Sequence, residues 1–301
     1  MREAFVGSSS GLHRPRFVWL ALSSLVGVLV GLLVLVGESG AQSAVPPFLV
    51  KEGTPPPGAN IPCDPKATHP YPVVLVHGTF ETMDQNWAVL SPRLKDKGYC
   101  VFALNYGRRG TGRIGRSAQE LGRFVDNVLA YTGAGKVQLV GHSQGGMMPR
   151  YWIKYLGGRS EVEDLVGIAP SNYGTKLGDS TNVDSTPADW GLQGRGAAPN
   201  PCYACDQQGA GSRFIRRLNN GDDTPGPGAF TQIATDDDEI IIPYTRCFLR
   251  GEERTKNLTL QDYNRGLVVT HQNIYNDPFV QKLVFDALAN PGTAKPARAF
   301  D

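Results

Sequence analysis

The residues best suited to chemistry are a serine and its neighbours, the sequence G-H-S-Q-G at 141–145. The apolar run at 137–140 predicts a strand before them, and apolar residues at helical spacing follow to Leu156. A serine at such a turn is held in a strained backbone conformation that exposes its hydroxyl, and a side chain at either glycine would collide with backbone. The pattern therefore predicts that Ser143 is a nucleophile.

A serine hydroxyl needs a base to take its proton, and the base needs an acid to orient it. In enzymes with this turn, the acid and then a histidine follow the serine along the chain. Of the five histidines, His271 is the one that follows both the serine and the acidic residues, in a loop after a predicted strand. We therefore expect His271 to be the general base.

The acid should stand in a loop after a strand, between the serine and the histidine. Four adjacent carboxylates at 236–239 follow the predicted strand 230–234. Like charges repel one another, so such a run suggests a role beyond solvation. We prefer Asp238, and spacing alone leaves Asp237 and Glu239 open.

An oxyanion hole supplies backbone N–H groups to the negative charge of a tetrahedral intermediate. One donor is expected from Gln144, the residue after the nucleophile, at a helix N-terminus. The other is expected from the loop H-G-T-F at 77–80, which follows the first strongly apolar strand. We favour Thr79 in this role, with Phe80 as the alternative.

The composition fits one large α/β domain with additional segments. The chain has 301 residues, of which 41% are hydrophobic, enough for a sizeable core. Its formal charge of +2 gives no electrostatic reason to expect a nucleic-acid partner. The 36 glycines and 22 prolines predict many loops and few long helices.

The N-terminus has the pattern of a secretion signal. Arginines precede an uncharged, apolar stretch at 17–37, and small residues follow it. Ser39 and Ala41 suit cleavage after Ala41, so residues 1–41 are predicted to be a signal and the mature protein to be secreted. The apolar stretch is also long enough to span a bilayer, and an uncleaved anchor is the alternative.

Composition and apolar periodicity divide the rest of the chain into four segments. Residues 42–70 are rich in proline and glycine and read as a linker and leading segment. Strands alternate with helices through 71–290, which predicts a parallel sheet with right-handed crossovers. Periodicity is lost at 171–211, a candidate lid. The tail, 291–301, is expected to be loose.

Four segments, in this order, resemble the class 2 secreted bacterial triacylglycerol lipases and esterases, and also the fungal lipase-B type. They are V-H-G-T-F at 76–80, G-H-S-Q-G-G at 141–146, I-A-P-S-N-Y-G-T at 168–175 and D-E-I-I-I-P-Y at 238–244. The resemblance implies an α/β-hydrolase fold, with a mostly parallel central sheet flanked by helices. It also implies ester hydrolysis without metal or cofactor, and a triad of Ser143, Asp238 and His271.

The resemblance also bears on the five cysteines, all of which follow the signal. It implies a disulfide between Cys63 and Cys100. Many bacterial relatives carry Cys-Pro shortly before the histidine, where this chain has Tyr-Asn at 263–264. The remaining pairing is therefore open between Cys202–Cys205 and Cys205–Cys247, and the odd count leaves one thiol unpaired or intermolecular.

The expected activity is that of a secreted triacylglycerol lipase, working as a monomer on a lipid or other ester and able to contact a lipid interface. The alternatives are a non-lipase hydrolase of polyesters, thioesters or cell-wall acyl groups, and an inactive hydrolase fold used for binding. Large apolar residues near the motifs could line an acyl cleft or belong to the core: Phe80, Trp87, Met147, Met148, Tyr173, Trp190 and Ile274.

Overall fold

The structure is a computed structural model that describes residues 53–176, 201–251 and 253–300. The expected signal at 1–41 lies outside the described residues, as does most of the candidate lid at 171–211.

A parallel sheet of six strands runs through the described residues. The strands are β1 Val73–Val76, β2 Val101–Leu104, β3 Val137–His142, β4 Val162–Ile168, β5 Ala229–Ala234 and β6 Thr255–Thr259. Their order across the sheet is β2-β1-β3-β4-β5-β6, and each neighbouring pair is parallel. The predicted parallel sheet is confirmed, and the carboxyl ends of all its strands point to one edge.

Helices connect the strands and cover the sheet. They are α1 Met83–Trp87, α2 Leu90–Asp96, α3 Ile114–Thr132, α4 Gln144–Tyr155, α5 Tyr203–Gln208, α6 Arg213–Leu218, α7 Pro278–Ala289 and α8 Pro296–Phe300. Short turns supplement them: a kinked turn at Gly107–Gly110 and 3-10 turns at Gly158–Ser160, Tyr244–Cys247, Leu260–Asp262 and Ile274–Asn276. The connection between β1 and β2 contains two short helices, α1 and α2, and the second is followed by Gly98 at φ +93°.

Two apolar cores lie on opposite faces of the sheet. Alternate residues of β1 enter different cores: Val74 and Val76 pack with α3 and α4, whereas Val73 and Leu75 pack with α2 and α7. A strand covered on both faces can be apolar throughout, which is why β1 reads as an unbroken apolar run.

The leading segment is fastened to β2, at one edge of the sheet. Cys63 forms the implied disulfide with Cys100, the residue before β2. The side chain of Asn60 donates to the Ala103 carbonyl and accepts from the Ala103 N–H, both at 2.9 Å. The Asn60 N–H also donates to the Val101 carbonyl oxygen at 3.0 Å.

The segment 291–300 packs on the domain, although a loose tail was expected there. Phe300, in α8, stacks on Phe279 of α7 with ring centroids 3.9 Å apart. Arg298 forms an ion pair with the mostly buried Asp286. These contacts give the segment partners that its polar composition does not reveal.

The other cysteines are also placed. Cys202 and Cys205 form a disulfide, and Cys247 is a buried free thiol.

Within the described ranges, no cluster of side chains is suited to hold a metal ion. In the same part of the chain, no helix has the length and apolar character needed to cross a membrane.

Candidate active site

Ser143 lies at a sharp turn between β3 and α4. Its backbone has φ 54° and ψ −121°, a conformation that is strained for a residue with a side chain. A Cβ atom at Gly141 would lie 1.9 Å from the Gly145 carbonyl oxygen, and one at Gly145 would lie 2.1 Å from that of Val76. Glycine is therefore required at both positions, for the steric reason that the motif suggested.

His271 and Asp238 form a buried pair. The ring nitrogen Nδ1 of His271 lies 2.9 Å from Oδ2 of Asp238. The other oxygen, Oδ1, accepts main-chain N–H groups from Ile240 at 2.9 Å and Ile241 at 2.7 Å. The carboxylate is thus held by its own loop and fixes which nitrogen of the imidazole carries a hydrogen.

The surroundings of His271 change its basicity. Burial lowers the pKa of the imidazole, but the charge and hydrogen bond of Asp238, aided by Glu239 and Glu81, raise it by more. The net result is a pKa raised above the ordinary value of 6.5. The ring is therefore a stronger base than a free imidazole.

The four carboxylates at 236–239 have different environments. Asp236 and Asp237 are exposed, whereas Asp238 is buried against His271. Glu239 accepts the main-chain N–H of His271 through Oε2 at 2.8 Å. Among the three candidate acids, the structure brings Asp238 to the imidazole.

His142 links the histidine loop to the serine turn. Its Nε2 lies 2.9 Å from the His271 carbonyl oxygen, and the two rings are 4.8 Å apart. Because His142 directly precedes Ser143, this contact holds the main chain of His271 beside the Ser143 turn.

The two candidate donors in the oxyanion loop differ. The Phe80 N–H donates to the Arg109 carbonyl oxygen at 2.7 Å, so it is already engaged. Within the described ranges, the main-chain N–H groups of Thr79 and Gln144 form no such bond. These two groups remain available to a ligand.

The hydroxyl of Thr79 is held by two amides. Its Oγ1 accepts from Nε2 of Gln144 at 2.7 Å and from Nε2 of Gln208 at 2.9 Å. The same amide nitrogens donate to the carbonyls of Gly110 and Ala204, which can only accept and so fix the amide orientation. With both lone pairs occupied, the hydroxyl has its own hydrogen left to donate.

Most of the apolar cleft candidates belong to the core. Five of them have no exposed surface: Phe80, Trp87, Met147, Met148 and Ile274. Tyr173 is partly exposed and donates its hydroxyl to Asp223 at 2.5 Å. Trp190 lies outside the described residues.

Sequence reasoning missed two polar side chains at this site, Glu81 and Gln208. Glu81 has an exposed fraction of 1%, although it stands in a polar loop. Gln208 reaches Thr79 from 129 positions further along the chain. Neither position carries a pattern that distinguishes it from a surface residue.

A serine after β3, an acid after β5 and a histidine after β6 of a parallel sheet define an α/β-hydrolase. The chain belongs to the lipase (class 2) family, whose model matches residues 70–283. This confirms the resemblance seen in the sequence motifs.

Curated relatives match over part of the chain. A triacylglycerol lipase of Burkholderia plantarii is 34% identical over 129 residues, covering 40% of this chain and 33% of that protein. One of Pseudarthrobacter phenanthrenivorans is 41% identical over 88 residues, covering 27% of each. The chain thus spans about a third of the length of these relatives.

A solved structure supports the fold. Aspergillus fumigatus lipase B is similar with a TM-score of 0.63 at 24% identity, covering 76% of this chain and 54% of that one. At this identity the likeness concerns the fold alone.

Proposed function

We propose that this protein hydrolyses carboxylic esters, with triacylglycerols as its main substrate class. The observation that carries the proposal is the buried His271–Asp238 pair, held beside the strained turn of Ser143 in a chain of the lipase (class 2) family. The alignment with curated triacylglycerol lipases supports the choice of substrate.

In the proposed reaction, Ser143 Oγ attacks the ester carbonyl carbon while Nε2 of His271 takes the hydroxyl proton. Asp238 keeps the other ring nitrogen protonated and stabilises the imidazolium. The bond to the alcohol oxygen then breaks, and the alcohol leaves with the proton from His271. Water repeats the sequence on the acyl-enzyme, releasing the carboxylic acid and restoring the serine.

Three donors are proposed for the oxyanion. They are the main-chain N–H groups of Thr79 and Gln144 and the hydroxyl of Thr79, whose lone pairs are occupied by two amides. Phe80 is the weaker candidate because its N–H already donates to Arg109. Donors held in place before the substrate arrives need no reorganisation when the charge develops.

Contact with a lipid surface is proposed for the loops that carry the acid and the histidine. Val268, three residues before His271, has an exposed fraction of 77%, and Ile242, four residues after Asp238, has 40%. Exposed apolar side chains beside a site suit an apolar partner. A lid is also proposed for 171–211, most of which lies outside the described residues.

Secretion and a monomeric state complete the proposal. Export is supported by two disulfides, because disulfides persist in oxidising compartments, and cleavage after Ala41 is proposed from the small residues at 39–41. A monomer is favoured because Ser143, Asp238 and His271 all belong to one chain, so the site needs no partner subunit.

The test combines a fluorophosphonate probe with esters of increasing acyl length. We expect the probe to label wild type at Ser143 and to leave Ser143→Ala unlabelled, with Ser160→Ala, a serine on a 3-10 turn, as control. Turnover of long-chain triacylglycerols would support a lipase. Activity confined to short or non-glyceride esters would favour the non-lipase hydrolase, and no labelling with no turnover would leave the inactive fold.

A further inference from the structure

Glu81 is a buried carboxylate in the loop after β1. Its Oε2 lies 2.9 Å from Nδ1 of His142 and accepts the main-chain N–H of Gly78 at 3.1 Å. Its Oε1 accepts the hydroxyl of Tyr275 at 3.3 Å. One carboxyl group therefore contacts three separate parts of the chain.

Each contact belongs to a different loop of the proposed catalytic machinery. Gly78 precedes the oxyanion residue Thr79, and His142 precedes the nucleophile. Tyr275 follows the histidine loop and lies against His142, with ring centroids 4.6 Å apart. Glu81 thus lies where the loops for oxyanion, nucleophile and base meet.

The hydrogen bonds of His142 set a requirement on protons. Its Nδ1 faces the Glu81 carboxyl group and its Nε2 faces the His271 carbonyl oxygen, which can only accept. A hydrogen must therefore stand on Nε2, and a second hydrogen must lie between Nδ1 and Glu81. The pair satisfies both bonds when it holds two hydrogens, either as imidazolium and carboxylate or as imidazole and carboxylic acid.

The pair is buried, with exposed fractions of 2% for His142 and 1% for Glu81. Burial lowers the pKa of His142, against the opposing effect of Glu81. Tyr275, which lies against His142, also packs edge to face on Trp87 with ring centroids 6.1 Å apart, and all three side chains are buried. Water is thereby kept from the bond that His142 makes to His271.

We propose that Glu81 and His142 are positioning residues that share a proton. Together they hold the backbone of His271 and the oxyanion loop at 77–80 in position relative to Ser143. The proposal rests on the proposed function, since it assigns these residues to the same site. They do not touch the substrate, and they act through the placement of His271 and Thr79.

Glu81→Gln tests the pair with almost no change of shape. At the position of Oε2, one atom accepts the Gly78 N–H, which also donates to Oδ1 of Asn86 at 3.0 Å, and shares a proton with His142. An amide oxygen there can accept but carries no proton, and an amide nitrogen can donate but opposes the Gly78 N–H. We expect kcat to fall about tenfold or more with KM nearly unchanged, because a buried bond is broken.

Two variants of His142 separate its two bonds. Glutamine can place a donor near the position of Nε2 and so reach the His271 carbonyl, whereas asparagine reaches only toward Glu81. We expect His142→Gln to keep more of kcat, and a faster fluorophosphonate labelling rate, than His142→Asn. If the two variants have matching melting temperatures, an equal kcat in both or a higher kcat in His142→Asn would overturn the proposal.

A double-variant cycle tests whether Glu81 acts through His142. If it does, kcat of the double variant Glu81→Gln, His142→Asn falls by a factor much smaller than the product of the two single-variant factors. Independent, multiplying losses would contradict the proposal. The matched control is Glu163→Gln, which removes a surface ion pair with Lys136 and should leave kcat unchanged. If Glu81→Gln does not fold, the comparison of the two His142 variants decides.

Nitrogen NMR of labelled histidines separates this proposal from the proposed function. We expect a hydrogen on Nε2 of His142 in wild type, whether or not the protein hydrolyses esters. An unprotonated Nε2 would contradict the positioning role. Absence of labelling and turnover in wild type would instead contradict the ester hydrolase.

Discussion

The main chain of His271 is bonded to Glu239, the neighbour of the carboxylate that holds its ring. The N–H of His271 lies 2.8 Å from Oε2 of Glu239, while Nδ1 lies 2.9 Å from Oδ2 of Asp238. Two consecutive side chains therefore fix the backbone and the imidazole of one residue. The backbone bond can weaken without altering the tautomer of the ring, but loss of the Asp238 charge alters the ring itself.

This division predicts unequal effects for two conservative substitutions. Asp238→Asn should lower kcat on a soluble short-chain ester about a thousandfold or more, because the amide favours the wrong tautomer and cannot stabilise the imidazolium. Glu239→Gln keeps an acceptor for the His271 N–H and should cost about tenfold or less. Similar losses in the two variants would show that the acid has been misassigned.

The raised pKa of His271 predicts the acidic limb of the rate profile. The base must be neutral to accept the serine proton, so activity disappears as the pH falls through the pKa of the ring. We expect the midpoint of kcat/KM against pH to lie above 6.5, the ordinary value for histidine. Glu239→Gln removes a charge that raises this pKa, and should shift the midpoint to lower pH. A wild-type midpoint below 6.5 would contradict the assignment.

Thr79 offers a test of the oxyanion hole. Thr79→Val removes the hydroxyl but keeps the shape and the main-chain N–H, so kcat should fall by about ten- to a hundredfold with little change in KM. Thr79→Ser restores the hydroxyl and should recover most of the loss. Steady-state kinetics on one soluble ester checks both, and a serine variant as slow as the valine variant would exclude the hydroxyl as donor.

The serine turn predicts a difference between two glycines. A Cβ atom at Gly145 would lie 2.1 Å from the carbonyl oxygen of Val76, whereas one at Gly135 would meet no atom within 4 Å. Gly145→Ala should therefore lower the melting temperature by several degrees or prevent folding, and Gly135→Ala should change it little. Thermal unfolding followed by circular dichroism decides, and two equally stable variants would contradict the packing described at the turn.

Contact with lipid predicts a selective loss of activity. Val268→Asp places a charge on an exposed apolar side chain near His271, so hydrolysis of emulsified long-chain esters should fall about fivefold or more. Hydrolysis of a soluble short-chain ester should stay near wild type. Ile61→Asp, at an exposed residue of the leading segment, is the control. Equal loss on both substrates would indicate damage to the site instead of the interface.

The predicted parts of this site carry local signals. Gly141 is required by a contact within its own turn and Gly145 by a contact with the end of β1, and both belong to one short motif. Chain order favours His271 as the base. The apolar runs of the central strands predict a buried parallel sheet because both faces are covered. These inferences need few long-range contacts, which is why the sequence supports them.

The missed parts depend on contacts between distant residues. Glu81 is buried because three loops converge on its carboxyl group, and Gln208 joins the site because α5 is placed beside Thr79. Phe300 packs on the domain because it stacks on Phe279, a contact that the polar composition of its segment does not indicate. Composition and spacing describe a residue's neighbours in the chain, and these three are defined by neighbours in space.

The way Asn60 meets β2 has a consequence for behaviour at high concentration. An outermost strand with unpaired amides and carbonyls is a template for pairing with a second molecule. Here an asparagine occupies both groups of Ala103, and the Cys63–Cys100 bond tethers the segment that supplies it. Reduction of the Cys63–Cys100 bond would therefore favour self-association through β2, at the end of the strands opposite the candidate site.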